Sequence, residues 1–180
     1  GKEKNIYFTS GGLTISLFQF DPAGRQLSGL LKASRQTVRL DFLGANDSSQ
    51  PTGLTADASP VFSFFEGKPE DWKTGIRACS EIKYPAVWPG VDLAFRTEEE
   101  HLKSEFIISP GTSVSKIRLQ YSGATDISLN KNGELEITTE AGSFLDQRPV
   151  AYQLKNGEKI EIPIDYVIYD RKTDTSGLVS

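Results

Sequence analysis

Apolar and polar residues alternate along most of the hydrophobic segments of this chain. The alternation is clearest in residues 13–17, 38–42, 117–121, 135–137 and 160–164. A period of two is typical of β-strands that bury one face. Strands of a parallel sheet, which are buried on both faces, would form continuous apolar runs instead. The pattern therefore predicts half-buried antiparallel strands.

Turn-forming residues lie between these segments at the spacing of β-hairpins. Gly11-Gly12 precedes the segment at residue 13, residues 130–133 (Asn-Lys-Asn-Gly) precede Leu135, and Asn156-Gly157 precedes Lys159. Asn-Gly supplies the two positive φ angles that a tight hairpin requires. The sequence predicts three hairpins at these positions.

Helical signals are short. Residues 27–32 and 69–72 each suit one turn, the second with Pro69 at a first helical position, but neither has a 3.6-residue stripe of helical length. Residues 44–60 are polar and predict a long loop. We therefore predict an all-β fold, an antiparallel β-sandwich or open barrel of about ten strands with at most one or two short helical turns.

The length of 180 residues suits one domain. Residues 171–180 are polar and lack an apolar period, as in a linker. We expect a single all-β domain over residues 1–170 and, over residues 171–180, a linker to a downstream region.

Charge and hydropathy exclude two classes of partner. Twenty basic and twenty-four acidic residues give a net charge of −4, without a basic block. Binding to nucleic acid or to an anionic membrane through charge is therefore not expected. Since no run of apolar residues reaches the roughly 18 that a transmembrane helix needs, no membrane insertion is expected either.

The residues that carry chemistry form no recognisable constellation. His101 follows three glutamates, but no second His or thiolate completes a metal site, so we predict no metal and no cofactor. Cys79, the only cysteine, is predicted to be a small packed thiol in an alternating strand. The acidic residues offer carboxylate pairs for a glycosidase, as any β protein this acidic would; those on predicted strands are Asp92, Glu105, Asp126 and Glu134.

Three large aromatic residues lie close together in sequence. Trp72 follows a turn, Tyr84 precedes a proline, and Trp88 precedes Pro89-Gly90. Exposed rings at loops bind sugars or protein partners, whereas a tryptophan on a turn also serves as an anchor that seals a β core. Both interpretations remain open, and Trp72, Tyr84 and Trp88 are the candidate ligand-binding residues.

Six blocks of sequence, in order, resemble a known family. They are residues 42–46 (FLGAN), 64–74 (FFEGKPEDWKT), 84–93 (YPAVWPGVDL), 102–111 (LKSEFIISPG), 117–124 (IRLQYSGA) and 148–153 (RPVAYQ). They are similar to the N-terminal domain of bacterial exported proteins that carry SBBP β-propeller repeats. The likeness spans roughly residues 7–154, and Trp88 and Glu105 depart conservatively from the family's usual Tyr and Asp. It implies an extracellular or cell-surface location, a multidomain parent and no described reaction.

The physical chemistry of these blocks is chiefly structural. Pro89-Gly90 and Pro110-Gly111 predict two fixed turns, because glycine tolerates a φ that other residues resist. Asp92 is placed to accept backbone N–H bonds near its own turn. We therefore assign Pro89, Gly90, Asp92, Pro110 and Gly111 to turns and anchors.

These observations favour a non-catalytic structural or interaction module of a secreted or surface-attached bacterial protein. Its expected partners are the downstream β repeats of its own chain and a surface glycan or protein. The alternative is a carbohydrate-binding β-sandwich that uses the loop aromatics. A carbohydrate-active hydrolase is the less favoured third hypothesis.

Overall fold

The structure is a computed structural model that describes residues 3–20, 33–55, 59–98, 101–173 and 176–179. Its strands are β1 (Glu3–Thr9), β2 (Gly12–Phe20), β3 (Ala33–Phe42), β4 (Thr52–Leu54), β5 (Val61–Phe64), β6 (Lys73–Arg77), β7 (Glu81–Trp88), β8 (Val91–Glu98), β9 (His101–Ile108), β10 (Leu119–Ser122), β11 (Asp126–Leu129), β12 (Leu135–Thr139), β13 (Gly142–Asp146), β14 (Ala151–Lys155), β15 (Glu158–Ile162), β16 (Ile168–Thr173) and β17 (Ser176–Val179). Within these ranges the only helical elements are two 3₁₀ turns, Pro69–Asp71 and Val114–Lys116. The predicted all-β class is confirmed, with more strands than the predicted ten.

The pairing of the strands is antiparallel throughout, and the described residues form open sheets with no closed barrel. Of the two predicted helical turns, the second is the 3₁₀ turn that Pro69 begins. The turn predicted over residues 27–32 lies outside the described residues. The chain divides into two compact units: unit 1 consists of Gly1–Gly44 and Val114–Ser180, and unit 2 consists of Ala45–Ser113.

Unit 1 contains a six-stranded sheet in the order β1-β2-β3-β10-β17-β16. Leu13, Leu40 and Tyr121 lie directly opposite one another across β2, β3 and β10, and all three are buried. This row shows why the sequence alternates, since side chains directly opposite each other on antiparallel strands share one face.

A three-stranded sheet, β11-β12-β13, completes the core of unit 1 with the fully buried Leu135 and Ile137. The hydroxyl of the buried Tyr121 donates a hydrogen bond to Asp146 Oδ2 of this sheet at 3.3 Å. Burial, and after it the negative charge of Asp146, raises the pKa of Tyr121 well above its ordinary value, so the phenol stays a proton donor. The bond links the two sheets within the unit.

The three predicted hairpins are confirmed as β1-β2, β11-β12 and β14-β15. Asn156 and Gly157 have φ angles of 53° and 86°, as the predicted Asn-Gly turn requires. The β14-β15 hairpin differs from expectation in one respect, because Ile160 is exposed. Alternation places Ile160 and Ile162 on one face, but among the described residues of the unit none buries Ile160.

The end of the chain differs from the predicted linker. Strand β16 extends to Thr173, and β17 pairs with both β10 and β16. Strand β17 satisfies its backbone N–H and C=O groups by pairing with the edge of β10, and this pairing does not require alternating apolar residues. The polar sequence of β17 therefore gave no sign of a strand.

Unit 2 is built on a four-stranded sheet in the order β4-β7-β8-β9. The short strand β4 lies within the segment predicted to be a loop, and its three residues are exposed. One face of the sheet is apolar, with Tyr84 and Leu93 fully buried and directly opposite each other. The other face is polar and ion-paired, including Lys83 with Asp92 and Arg96 with Glu81 and Glu105.

Candidate functional site

The structure buries two of the three candidate ligand-binding aromatics. Tyr84 is 0% and Trp88 2% exposed. Tyr84 meets Phe95 edge to face at a centroid separation of 6.1 Å, and Trp88 lies 6.3 Å from Phe106. These contacts place both rings in the hydrophobic core of unit 2, where they anchor the sheet.

Strand β7 reaches this arrangement through a bulge. The register shifts between Tyr84 and Trp88, and Ala86 within the bulge has a φ of 48°. A left-handed conformation is costly for a residue with a Cβ atom, so the surroundings must hold it in place. The Ala86 N–H donates to Asp92 Oδ1 at 2.7 Å, and the Ser49 hydroxyl donates to the carbonyl of Pro85 at 2.8 Å.

Asp92 holds the bulge through charge as well as through hydrogen bonding. Its second carboxylate oxygen lies 2.9 Å from the Lys83 ammonium. The hydrogen bond from the Ala86 N–H, and after it the bond from Lys83, lowers the pKa of Asp92 below its ordinary value. Asp92 is thus an ionised structural acceptor, and both of its carboxylate oxygens have partners on β7.

Acid should weaken unit 2 through Asp92. Because the pKa of Asp92 is lower in the folded than in the unfolded state, its stabilisation is present above the unfolded value of about 3.9 and is lost as pH falls through the folded pKa. Asp92→Asn should lower the free energy of unfolding by about 1 kcal/mol at neutral pH. Urea titrations at about pH 6 and about pH 3 should show a smaller pH effect in the variant. An equal pH effect in both proteins would contradict this role.

Removing the Cβ atom of Ala86 should stabilise the protein. Glycine tolerates the φ of 48° without strain, although it adds freedom to the unfolded chain, so we expect Ala86→Gly to raise the free energy of unfolding by about 0.5–1 kcal/mol. Asn156→Gly is the matched control, since Asn156 has a similar φ of 53° but asparagine accepts it readily. Urea unfolding of both variants gives the comparison; a larger gain at residue 156 would refute the strain at Ala86.

The two Pro-Gly turns lie beside each other. Pro89-Gly90 joins β7 to β8, and Pro110-Gly111 follows β9, with the Thr112 N–H bonded to the carbonyl of Ser109 at 3.1 Å. The Ser109 N–H donates to the Gly90 carbonyl at 2.8 Å, and the Thr112 side chain occupies the space where a Cβ of residue 90 would lie. Gly90 and Gly111 have φ angles of 81° and 80°, so both turns use the conformation that favours glycine.

The third candidate aromatic, Trp72, lies on a different element. Residues 61–77, here called the aromatic hairpin, comprise β5, the 3₁₀ turn and β6. All of its residues are exposed, and the large hydrophobic ones are Val61, Phe62, Phe64, Phe65, Trp72 and Ile76. Six large apolar side chains are therefore exposed on one short hairpin, with Phe62 opposite Ile76 in the strand register and Phe65 in ring contact with Trp72. Exposed apolar area of this kind is typical of interaction surfaces.

Phe65 and Trp72 of the aromatic hairpin do not form a flat platform. Phe65 and Trp72 meet at an interplanar angle of 90° with centroids 5.2 Å apart. In this edge-to-face contact one ring covers a face of the other. Trp72 is 46% and Phe65 62% exposed, so both rings still offer apolar area to a partner.

Sequence reasoning singled out Trp72 but missed Phe62 and Phe64 as surface residues. The run Val61-Phe62-Ser63-Phe64-Phe65 has apolar side chains on both faces, which normally indicates a buried strand. The sequence feature that could have indicated exposure is the charged turn beside this run, residues 66–71, together with the glycines at positions 67 and 75.

The remaining candidates for chemistry are dispersed. His101 is exposed on β9. Asp92 and Glu105 are each ion-paired with a basic residue in unit 2, whereas Asp126 and Glu134 belong to unit 1. The prediction for Cys79 is wrong: the residue is exposed and falls in the connection between β6 and β7 rather than in a strand.

Two kinds of feature are absent from the described parts of the chain. No three His, Cys, Asp and Glu side chains there are grouped so that they could hold a metal ion. Nor does that portion contain a helix with the length and hydropathy needed to cross a membrane.

Comparison with known proteins gives one result. A family model described as a domain of unknown function, DUF7948, matches residues 1–178. No curated protein and no solved structure matches the chain.

Proposed function

The chain belongs to DUF7948, a family of domains of unknown function, and we propose that it is a non-catalytic interaction module of a secreted or cell-surface bacterial protein. The observation that carries the proposal is the aromatic hairpin, whose six large apolar side chains are all exposed. Its occupant in this proposal is the β-repeat region downstream in the same protein. The six blocks that resemble exported SBBP-repeat proteins support this location and this partner.

The geometry of the hairpin favours a protein partner over a glycan. A sugar ring stacks on the open face of an aromatic side chain, and a platform for several sugars needs rings that lie side by side. Here Tyr84 and Trp88 are buried, and Trp72 meets Phe65 at 90°. An irregular patch of phenylalanine and tryptophan suits the apolar core of a protein interface, in which such residues are enriched.

The test is direct binding between this chain and the repeat region of its parent protein. We expect the double variant Phe62→Ser/Phe65→Ser to weaken binding at least about tenfold in calorimetry, because both side chains are exposed anchors. Leu154→Ser is the matched control, since Leu154 is 69% exposed on the β14-β15 hairpin of unit 1. Equal losses in both variants, or no binding by the unaltered chain, would overturn the proposal.

A parallel titration distinguishes the glycan alternative. If cell-surface polysaccharide shifts the tryptophan fluorescence of the unaltered chain, and Trp72→Ala abolishes that shift without unfolding the protein, the carbohydrate-binding function replaces the one proposed. Trp88 serves as the internal reference, since its ring is buried and should report no ligand.

A further inference from the structure

Strand β9 ends the four-stranded sheet of unit 2, and among the described residues no strand pairs with its outer edge. The opposite edge is β4, which is only three residues long, whereas β9 has eight. A long edge strand presents unpaired backbone groups, which makes it a template for a further strand. Lys103, Ser104 and Ile107 are exposed along it.

The residue that follows β9 shows which backbone groups of this strand bond to β8 and which point outward. The Ser109 N–H donates to the Gly90 carbonyl at 2.8 Å, and these residues continue the β8-β9 register. Because bonding and non-bonding pairs alternate in an antiparallel ladder, the odd-numbered residues of β9 bond to β8. The backbone groups of Leu102, Ser104 and Phe106 therefore point away from the sheet.

The side chains around Ser104 are complementary to themselves in an antiparallel arrangement. Lys103 and Glu105 flank Ser104 on the polar face of the sheet, and Leu102 and Phe106 flank it on the apolar face. A two-fold rotation about Ser104 exchanges residue 103 with 105 and residue 102 with 106. Each charge then meets its opposite, and each apolar side chain meets another.

We propose that β9 pairs antiparallel with β9 of a second copy of this chain, centred on Ser104. Lys103 then lies opposite the partner's Glu105, Leu102 lies opposite the partner's Phe106, and both contacts occur twice. The outward backbone groups of Ser104 pair with the same groups of the partner subunit. The two four-stranded sheets become one continuous sheet through an interface separate from the aromatic hairpin.

Charge also selects this register over its neighbours. Antiparallel pairing that keeps the outward backbone groups opposite each other allows shifts that centre on Lys103 or on Glu105. The first shift opposes two ammonium groups and the second opposes two carboxylates, and like charges directly opposite are destabilising. Of these three registers, only the one centred on Ser104 places Lys103 and Glu105 each opposite a side chain of opposite charge.

Both ions remain available to a partner. The Lys103 side chain is 58% exposed and lies 3.2 Å from Glu98, while the Glu105 side chain is 34% exposed and ion-paired with Arg96. The second copy extends this row of alternating charges across the interface, where each ion gains a further neighbour of opposite sign.

The test uses two charge variants, separately and mixed. Lys103→Glu alone places carboxylates opposite each other in the dimer, and Glu105→Lys alone places ammonium groups opposite each other. Each variant should dimerise at least about tenfold more weakly than the unaltered chain in sedimentation experiments, because two cross-strand pairs change from attraction to repulsion. In an equimolar mixture, a dimer that contains one copy of each variant has opposite charges at every cross-strand pair. Dimers of this mixed composition should therefore form again.

Two further variants test the backbone pairing and control for the change in charge. Ser104→Pro removes an outward N–H that β8 does not use, so it should block dimerisation while circular dichroism shows the sheet intact. Lys131→Glu makes the same charge change on an exposed turn of unit 1 and should leave dimerisation unaltered. An unaltered chain that stays monomeric at every concentration, or a mixture no more associated than either variant alone, overturns the proposal.

Discussion

Replacing Trp88 with alanine should cost about 3–5 kcal/mol of unfolding free energy, because the indole is 2% exposed and its loss leaves a cavity beside Phe106. Trp72→Ala should cost less than about 1 kcal/mol, since its ring is 46% exposed on the aromatic hairpin. Urea unfolding followed by circular dichroism measures both changes. The two tryptophans are thus expected to separate into an anchor and a surface residue.

Trp88→Phe is the control for the cavity, since it keeps most of the buried ring and should recover more than half of the loss. A Trp72→Ala variant as unstable as Trp88→Ala would show that the hairpin ring belongs to the core. The exposed patch, and with it the proposed function, would then lose its main support.

Adding a methyl group at Gly90 should be the second most damaging change. Gly90 has a φ of 81°, and its missing Cβ would overlap the Thr112 side chain, so Gly90→Ala combines backbone strain with a collision and should cost about 2–3 kcal/mol. Gly111 has nearly the same φ of 80° but open space around it. Gly111→Ala should therefore cost only the strain, about 1 kcal/mol.

The difference between the two glycine variants isolates the close approach of the turns. Adding Thr112→Ala to Gly90→Ala removes the colliding atoms and should recover the stability that the collision cost, as measured by urea unfolding. If the double variant is no more stable than Gly90→Ala alone, the cost lies entirely in the backbone, and contact between the turns contributes nothing.

Hairpins were predictable because their turns are coded locally. Asn156-Gly157 strongly favours a tight turn through its own backbone preferences, and both residues have the positive φ angles that the sequence predicts. Strands β4 and β17 were not predictable, since they are held by backbone pairing with β7 and β10 and carry no apolar period. Pairing of that kind depends on partners distant in sequence, which local patterns do not record.

The burial of individual side chains was less predictable from the sequence than the positions of the hairpins. Ile160 follows the same alternation as Leu40, yet one is exposed and the other buried. The period of a strand identifies which side chains share a face, but whether that face is covered depends on the rest of the unit. Trp72 and Trp88, which both lie beside turns, likewise lie in opposite environments.

The division of the chain has a consequence for its synthesis. Unit 2 is one continuous segment, whereas unit 1 joins residues from both ends of the chain, and β10 lies between β3 and β17 in its sheet. During translation, unit 2 is complete before β10 emerges from the ribosome, and the six-stranded sheet must wait for β17. Hairpins such as β7-β8 and β8-β9 close over short stretches of chain, while the pairing of β3 with β10 spans the whole inserted unit. Because closing a long loop slows folding, we expect the six-stranded sheet to be completed only after unit 2 has formed, when β10 and β17 join the paired strands β1–β3.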